Sequence, residues 1–161
     1  MLGKTIKSTI ALAAAGNYTA KDVLSSSASA GSYSTFDDVG GSGYIMGARA
    51  ICETAAVVMR ATLLLFKAAP NASNQFNDNV ASTALLEADW DNFLGAIEFP
   101  ALKSYGGDGF AEAISGEGCK LPKFYNTPDG KIYYIAITED AETNETAGDS
   151  ITFYIDTQPS I

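Results

Sequence analysis

Histidine is absent from the 161 residues, so any chemistry here must run on carboxylates, cysteines or hydroxyls. Without an imidazole there is no His-bearing triad, no His-assisted cysteine nucleophile and none of the usual His-bearing zinc, iron or copper sites. Three acidic groups have the spacing of a carboxylate pair: Asp37 with Asp38, Asp89 with Asp91, and Glu139 and Asp140 with Glu142. Such groups supply the acid and base of a glycosidase or oxygen ligands for calcium. Each also has a plainer account. Asp89 and Asp91 flank Trp90 at a predicted helical turn and read as solvated, while residues 139–145 read as an exposed acidic hairpin loop. The EF-hand ligand pattern is missing. The expectation is no catalytic residue, no cofactor and no metal site, so not an enzyme.

Cys52 and Cys119 lie too far apart to make a zinc knuckle by spacing, and each reads as a small apolar strand side chain, not as half of a disulfide. Gly40, Gly41, Ser42 and Gly43 precede a strand, not a helix N-terminus, and so read as a turn instead of a phosphate cradle. Among the aromatics, Trp90, Tyr133 and Tyr134 fall in predicted elements and read as core, as such aromatics usually do. Tyr105 and Phe110 sit in a Gly-rich loop and are left on a surface, where they are candidate partner contacts.

The elements that position these groups are strands. Period-two alternation punctuated by Gly, Pro, Asn and Asp dominates, as half-buried strands require. Tyr44, Met46, Ala48, Ala50 and Cys52 share one face of a strand; Val57, Met59, Ala61, Leu63 and Leu65 share one face of the next, and the short link 54–56 suggests a hairpin. Leu64 and Phe66 give the second strand an apolar outer face, to be covered by a loop or a neighbouring subunit. Thr127, Pro128, Asp129 and Gly130 form a strong turn signal, predicted to join strands 120–126 and 131–139 as a hairpin. Strand 131–139 is apolar on both faces and therefore central. In strand 150–157, Ile151, Phe153 and Ile155 point inward. Weaker strands fall at 5–12, 18–24, 34–39 and 95–101, and an amphipathic helical turn at 83–94. Residues 25–34 and 105–118 are Gly/Ser-rich loops expected to be mobile. The sum is an all-β fold: a single antiparallel β-sandwich, jelly-roll-like, of about eight strands with one short helical turn.

With 47% hydrophobic and only 18% charged residues, the chain reads as one ordered domain over 1–161 with an unusually uncharged surface suited to protein contacts. A net charge of −9 without a basic cluster argues against nucleic acid and membrane surfaces as partners. Lys4 and Lys7 before Ile10–Ala15 imitate a secretory signal, but Ser8 and Thr9 break the apolar run, and the segment is expected to be retained, with residues 1–8 as an extended arm. The sequons at Asn17, Asn71 and Asn144 read as chance triplets.

Several steps follow in a particular order: Tyr18-Thr19-Ala20-Lys21-Asp22-Val23, a Gly-rich turn into a strand, Leu63-Leu64-Leu65-Phe66 running to Pro70, Asn77-Asp78-Asn79, Ala88-Asp89, Leu94-Gly95 with Ile97 and Phe99, and Ile132-Tyr133 through Ile137-Thr138. In this order the chain, over roughly residues 5–157, resembles tailed-bacteriophage virion proteins, most of all capsid decoration or cement proteins with a jelly-roll-like sandwich. The resemblance rests on strand ends and turns, not on a catalytic signature. It implies a non-enzymatic protein made in the host bacterial cytoplasm and carried on the outer capsid surface of the virion, where it bridges major capsid protein subunits as a dimeric or trimeric homo-oligomer. Lys4 and Lys7 would then reach the shell. The alternatives are a head-fibre or tail structural protein, and a carbohydrate- or calcium-binding β-sandwich module.

Overall fold

The computed structural model describes residues 3–13, 17–72, 75–116, 120–144 and 146–160. Among these residues eleven strands and one helical turn follow in the order β1 (Lys4–Ala11), β2 (Val23–Leu24), β3 (Ser34–Phe36), β4 (Ser42–Cys52), β5 (Ala61–Phe66), α1 (Glu87–Trp90), β6 (Phe93–Phe99), β7 (Lys103–Ser104), β8 (Gly109–Glu112), β9 (Lys123–Asn126), β10 (Ile132–Thr138) and β11 (Ser150–Pro159). They form two antiparallel sheets. One runs β1-β11-β4-β8-β7, with β9 also on β4; the other runs β2-β10-β5-β6, with β3 also on β10.

The pairings nest. First pairs with last (β1 with β11), then β2 and β3 with β10, then β4 with β8 and β9, and innermost β5 with β6. A chain folded on itself as one long hairpin and wrapped so that successive pairs alternate between two sheets is a jelly roll, and this is a sandwich of that kind.

Two hairpins expected from sequence do not form. β4 and β5 lie in opposite sheets, as do β9 and β10. Alternation reports which side of a strand is buried, and both sheets bury their inner sides against the same core, so it does not name a strand's neighbour. The 127–130 turn is present, with Gly130 N–H donating to Thr127 O (3.2 Å) and Gly130 at φ +73°. Its flanks bind the β3–β4 connection instead of each other: Thr127 N–H donates to Gly41 O and Val39 N–H to Gly130 O. The turn therefore carries the chain across the sandwich. Residues 4–8, which fall in the expected extended arm 1–8 and from residue 5 in the expected strand 5–12, are paired in β1 from Lys4↔Thr157 to Ser8↔Phe153, as the strand requires; Met1 and Leu2 lie outside the described residues, as does Cys119. The helical turn spans only Glu87–Trp90, and Phe93 and Leu94 already belong to β6.

Between the sheets, Phe153 of β11 meets Phe99 and Tyr134 from the opposite sheet, and Phe36 stacks on Tyr134 at 4.6 Å. A second apolar layer lies outside the β2-β10-β5-β6 sheet. There Val23, Phe66, Phe76, Ile135 and Ile137 are buried with Ala72, and Leu64, Leu85 and Tyr133 pack against them. This layer explains why β5 and β10 are apolar on both faces: the long connection between β5 and β6 folds back over the sheet.

Buried carboxylates fasten that cover. Asp89 accepts from the Asn71 backbone N–H (2.8 Å), Asn71 Nδ2 (3.1 Å) and the Leu86 N–H (2.8 Å). Asp78 accepts from Ser25 N–H (2.7 Å) and Tyr18 OH (2.8 Å). Phe76 N–H donates to Gly31 O, and a Cβ on Gly31 would stand 1.8 Å from the Phe76 carbonyl oxygen, so only glycine permits this approach.

Candidate functional site

One face of the sandwich has no such cover among the described residues: the outer side of the six-stranded sheet. Directly paired residues project to the same side, so the register defines its rows. The first is Thr9, Thr152, Ile51, Phe110 and Lys103; the second is Lys7, Tyr154, Arg49 and Glu112; the third is Thr5, Asp156 and Gly47; the fourth is Gln158, Tyr44 and Phe124.

A β-bulge sets the composition of this face. The β11–β4 register shifts between Asp156 and Thr157, which oppose Gly47 and Ile45, so Met46 is the unpaired extra residue. One extra residue inverts the alternation. Ala48, Ala50 and Cys52 point inward as expected from sequence, but before the bulge Ile45 is the buried residue, while Tyr44 (41% exposed) and Met46 (48%) face out. Tyr44 then packs edge-on against Phe124 (51% exposed), with ring centroids 5.4 Å apart.

At the other end of the face, about 20 Å along β4, the four-residue β7–β8 turn presents Tyr105. Ser104 Oγ donates to Gly106 O (3.0 Å) and Tyr105 N–H to Asp108 O (3.3 Å), and Gly106 takes φ +123°. Tyr105 is 76% exposed and meets Phe110 edge-on at 6.1 Å. With Ile51 and Asp108 the two rings line a shallow concavity of about 410 Å³. Between the aromatic pairs the Arg49 guanidinium lies 4.7 Å above the Tyr154 ring and 3.3 Å from Asp156 Oδ2, and Thr5 Oγ1 donates to Asp156 Oδ1. These contacts hold the long side chains of the middle rows against the sheet, leaving a flat, mixed surface with an aromatic pair at each end.

Of the four residues expected to contact a partner, Lys7, Tyr105 and Phe110 gather on this face. Lys4 lies at its edge. It sits one residue out of phase with Thr5 and Lys7, at the end of the sandwich between Asp37, Asp38 and Asp129 on one side and Thr5, Met46 and Asp156 on the other. The sequence reading passed over Tyr44, Met46 and Phe124; the available signal was Gly47 inside a strand, a common mark of a bulge. It also passed over Trp90, read as core, which is 48% exposed and packs edge-on against Phe93 at 5.1 Å.

Five of the seven carboxylates singled out from sequence are tied into the fold. Asp37 pairs with Lys131 (3.1 Å). Asp89, expected to be solvated, is 1% exposed and fully engaged as described above. In the acidic segment Glu142 is also buried, not exposed, and accepts from the backbone N–H groups of Val58, Thr143 and Asn144 at 2.8 Å each; Glu145 lies outside the described residues. Glu139 accepts from Lys21 and Thr62; burial raises its pKa, but these bonds outweigh that and hold it below the usual carboxylate value. Asp140 takes a two-pronged contact from Arg60, Nε at 2.9 Å and Nη2 at 2.6 Å, which draws its carboxyl down to about 2. Among the described residues no group of three or more acidic or Cys side chains is arranged to hold a metal ion.

No protein-family model matches this chain, and no curated protein matches it either.

Proposed function

We propose that this chain is a non-enzymatic structural protein of a tailed-phage virion, a capsid decoration or cement protein that binds the outer head shell through the major capsid protein and stabilises it. The observation that carries the reading is the outer face of the six-stranded sheet, left uncovered by the described residues, which holds two aromatic pairs with Tyr44, Phe124 and Tyr105 exposed and Phe110 half-buried. Aromatic and arginine anchors on a flat, mixed surface are the make-up of a protein contact. The jelly roll is a common architecture of viral capsid domains, and the net charge of −9 keeps the protein off packaged DNA. The resemblance in the order of strand ends and turns points the same way.

Cryo-electron microscopy of the particle formed by the phage that encodes this chain tests the reading. Ordered copies on the outer shell, bridging major capsid protein subunits, are expected. Density confined to a fibre or tail, or none on the particle, overturns it.

A second reading is favoured by one local feature. The Tyr105 and Phe110 rings beside the Asp108 carboxylate offer an apolar platform and a hydrogen-bond acceptor in one concavity, which suits a carbohydrate. Glycan-array binding that disappears on Tyr105→Ala would move the assignment there.

A further inference from the structure

The second row of the open face carries its charges in a definite order: Lys7 on β1, Tyr154 on β11, Arg49 on β4 and Glu112 on β8. Lys7 and Glu112 are both exposed, and neither has an ion-pair partner among the described residues. Three strand spacings, about 14 Å, separate them, too far for a contact within the chain. A row with a cation at one end, an anion at the other, and an aromatic and an arginine side by side at its centre is complementary to itself when reversed.

We infer that the outer face of the six-stranded sheet docks on the same face of a second copy of this chain, about a twofold axis running close to the strand direction between β11 and β4. This rests on the reading of the face as a protein contact and names a second copy as its occupant, so the dimer would meet the major capsid protein through its remaining surface. Two sheets packed with aligned strands can be related by an in-plane twofold axis across the strands or along them. An axis across the strands sets every strand against itself: through the second row it places Lys7 on Lys7, Arg49 on Arg49 and Glu112 on Glu112, and at any other position it gives neither Lys7 nor Glu112 an opposite charge. An axis along the strands reverses the strand order, so β1 faces β8 and β11 faces β4. Lys7 then meets the partner's Glu112, Tyr154 meets the partner's Arg49, and Asp156 meets the partner's Gly47, where no side chain stands in the way. The charge order selects the second axis, and sheet twist tilts the two strand sets by about 30°. The face measures about 20 Å along the strands and about 19 Å across them, roughly 400 Å² per copy and below the usual size of a specific interface, so the dimer is expected to be weak and reversible.

Sedimentation equilibrium of the purified full chain from about 1 to about 300 μM, a range suited to a weak dimer, tests this. A reversible dimer is expected. Lys7→Glu alone and Glu112→Lys alone should each weaken it at least about tenfold, because both symmetry-related contacts become repulsive. An equimolar mixture of the two variants should dimerise again, since every contact between unlike chains is then Glu on Lys. Unchanged thermal unfolding of each variant shows that the fold is intact. A monomer throughout the range, a trimer, single reversals without effect, or no rescue on mixing would each overturn the inference. A dimer found in solution together with no copies on the virion would overturn the decoration reading instead and leave this one standing.

Discussion

Tyr134 of β10 lies edge-on to Phe153 of β11, with ring centroids 5.9 Å apart and planes at 79°, so that one aromatic contact bridges the two sheets. Both residues are fully buried, and the Tyr134 hydroxyl reaches across to Ser8 Oγ of β1 at 2.8 Å. Phe153 also meets Phe99 at 5.6 Å. Phe153→Ala should therefore cost about 3–5 kcal/mol. Tyr134→Phe, which removes only the hydroxyl, should cost about 1 kcal/mol. Urea unfolding followed by tryptophan fluorescence reads both, and a Phe153→Ala loss no larger than that of Tyr134→Phe would refute this account of the core.

The cover over the second sheet depends on Asp89. Asp89→Ala leaves the Asn71 and Leu86 N–H groups without their acceptor, and about 2–4 kcal/mol should be lost. The loss is local in kind. Hydrogen exchange should rise first at residues 67–72 and 84–92, before the β4–β11 pairing opens, whereas uniform acceleration would show that the cover is not a separate layer.

Arg60 and Asp140 give a sign that can be checked by pH. The Arg60 hydrogen bonds hold the Asp140 carboxyl at about 2, below its ordinary 3.8. A depressed carboxylate contributes stability above its unfolded value and loses it as pH falls through the folded value, here between about 4 and 2. Both side chains are substantially exposed, so solvent screens the contribution and it is small. The direct readout is an NMR titration of the Asp140 carboxyl carbon: in Arg60→Ala its midpoint should climb toward 3.8.

Cys52 is buried on β4, and burial pushes its thiol up to about 11. In a Cys119→Ser variant, which leaves Cys52 as the sole thiol, Ellman's reagent at pH 8 should react only as fast as the protein unfolds. Rapid labelling of the native protein would contradict the burial of β4.

Tyr105 and Phe124 separate binding from folding. Both project from the open face, so Tyr105→Ala and Phe124→Ala should each change stability by no more than about 0.5 kcal/mol. The paired variant should nonetheless fail to self-associate. Retained assembly would exclude the open face as the contact surface.

The strands themselves were legible because alternation is a local property. Ile151, Phe153 and Ile155 can face only one way once β11 is extended, and the double apolar character of 131–139 marks it as central, as β10 proves to be. The turn at 127–130 was equally plain, since Pro128, Asp129 and Gly130 encode it in consecutive residues. The candidate face was legible only in part. Lys7, Tyr105 and Phe110 could be picked out singly, but nothing local joins residue 7 to residue 110.

Sequence alone thus determined the all-β class, the inward set of most strands and the lack of imidazole chemistry, each of which follows from residue type or period-two spacing. Tertiary structure decided the rest. Which strand neighbours which is set by hydrogen bonds between residues such as Ile10 and Ile151, more than a hundred positions apart, and inner-face alternation is the same whichever sheet a strand joins. The bulge at Met46 was decided the same way. Only pairing against β11 reveals the extra residue that turns Tyr44 and Met46 outward and builds the open face.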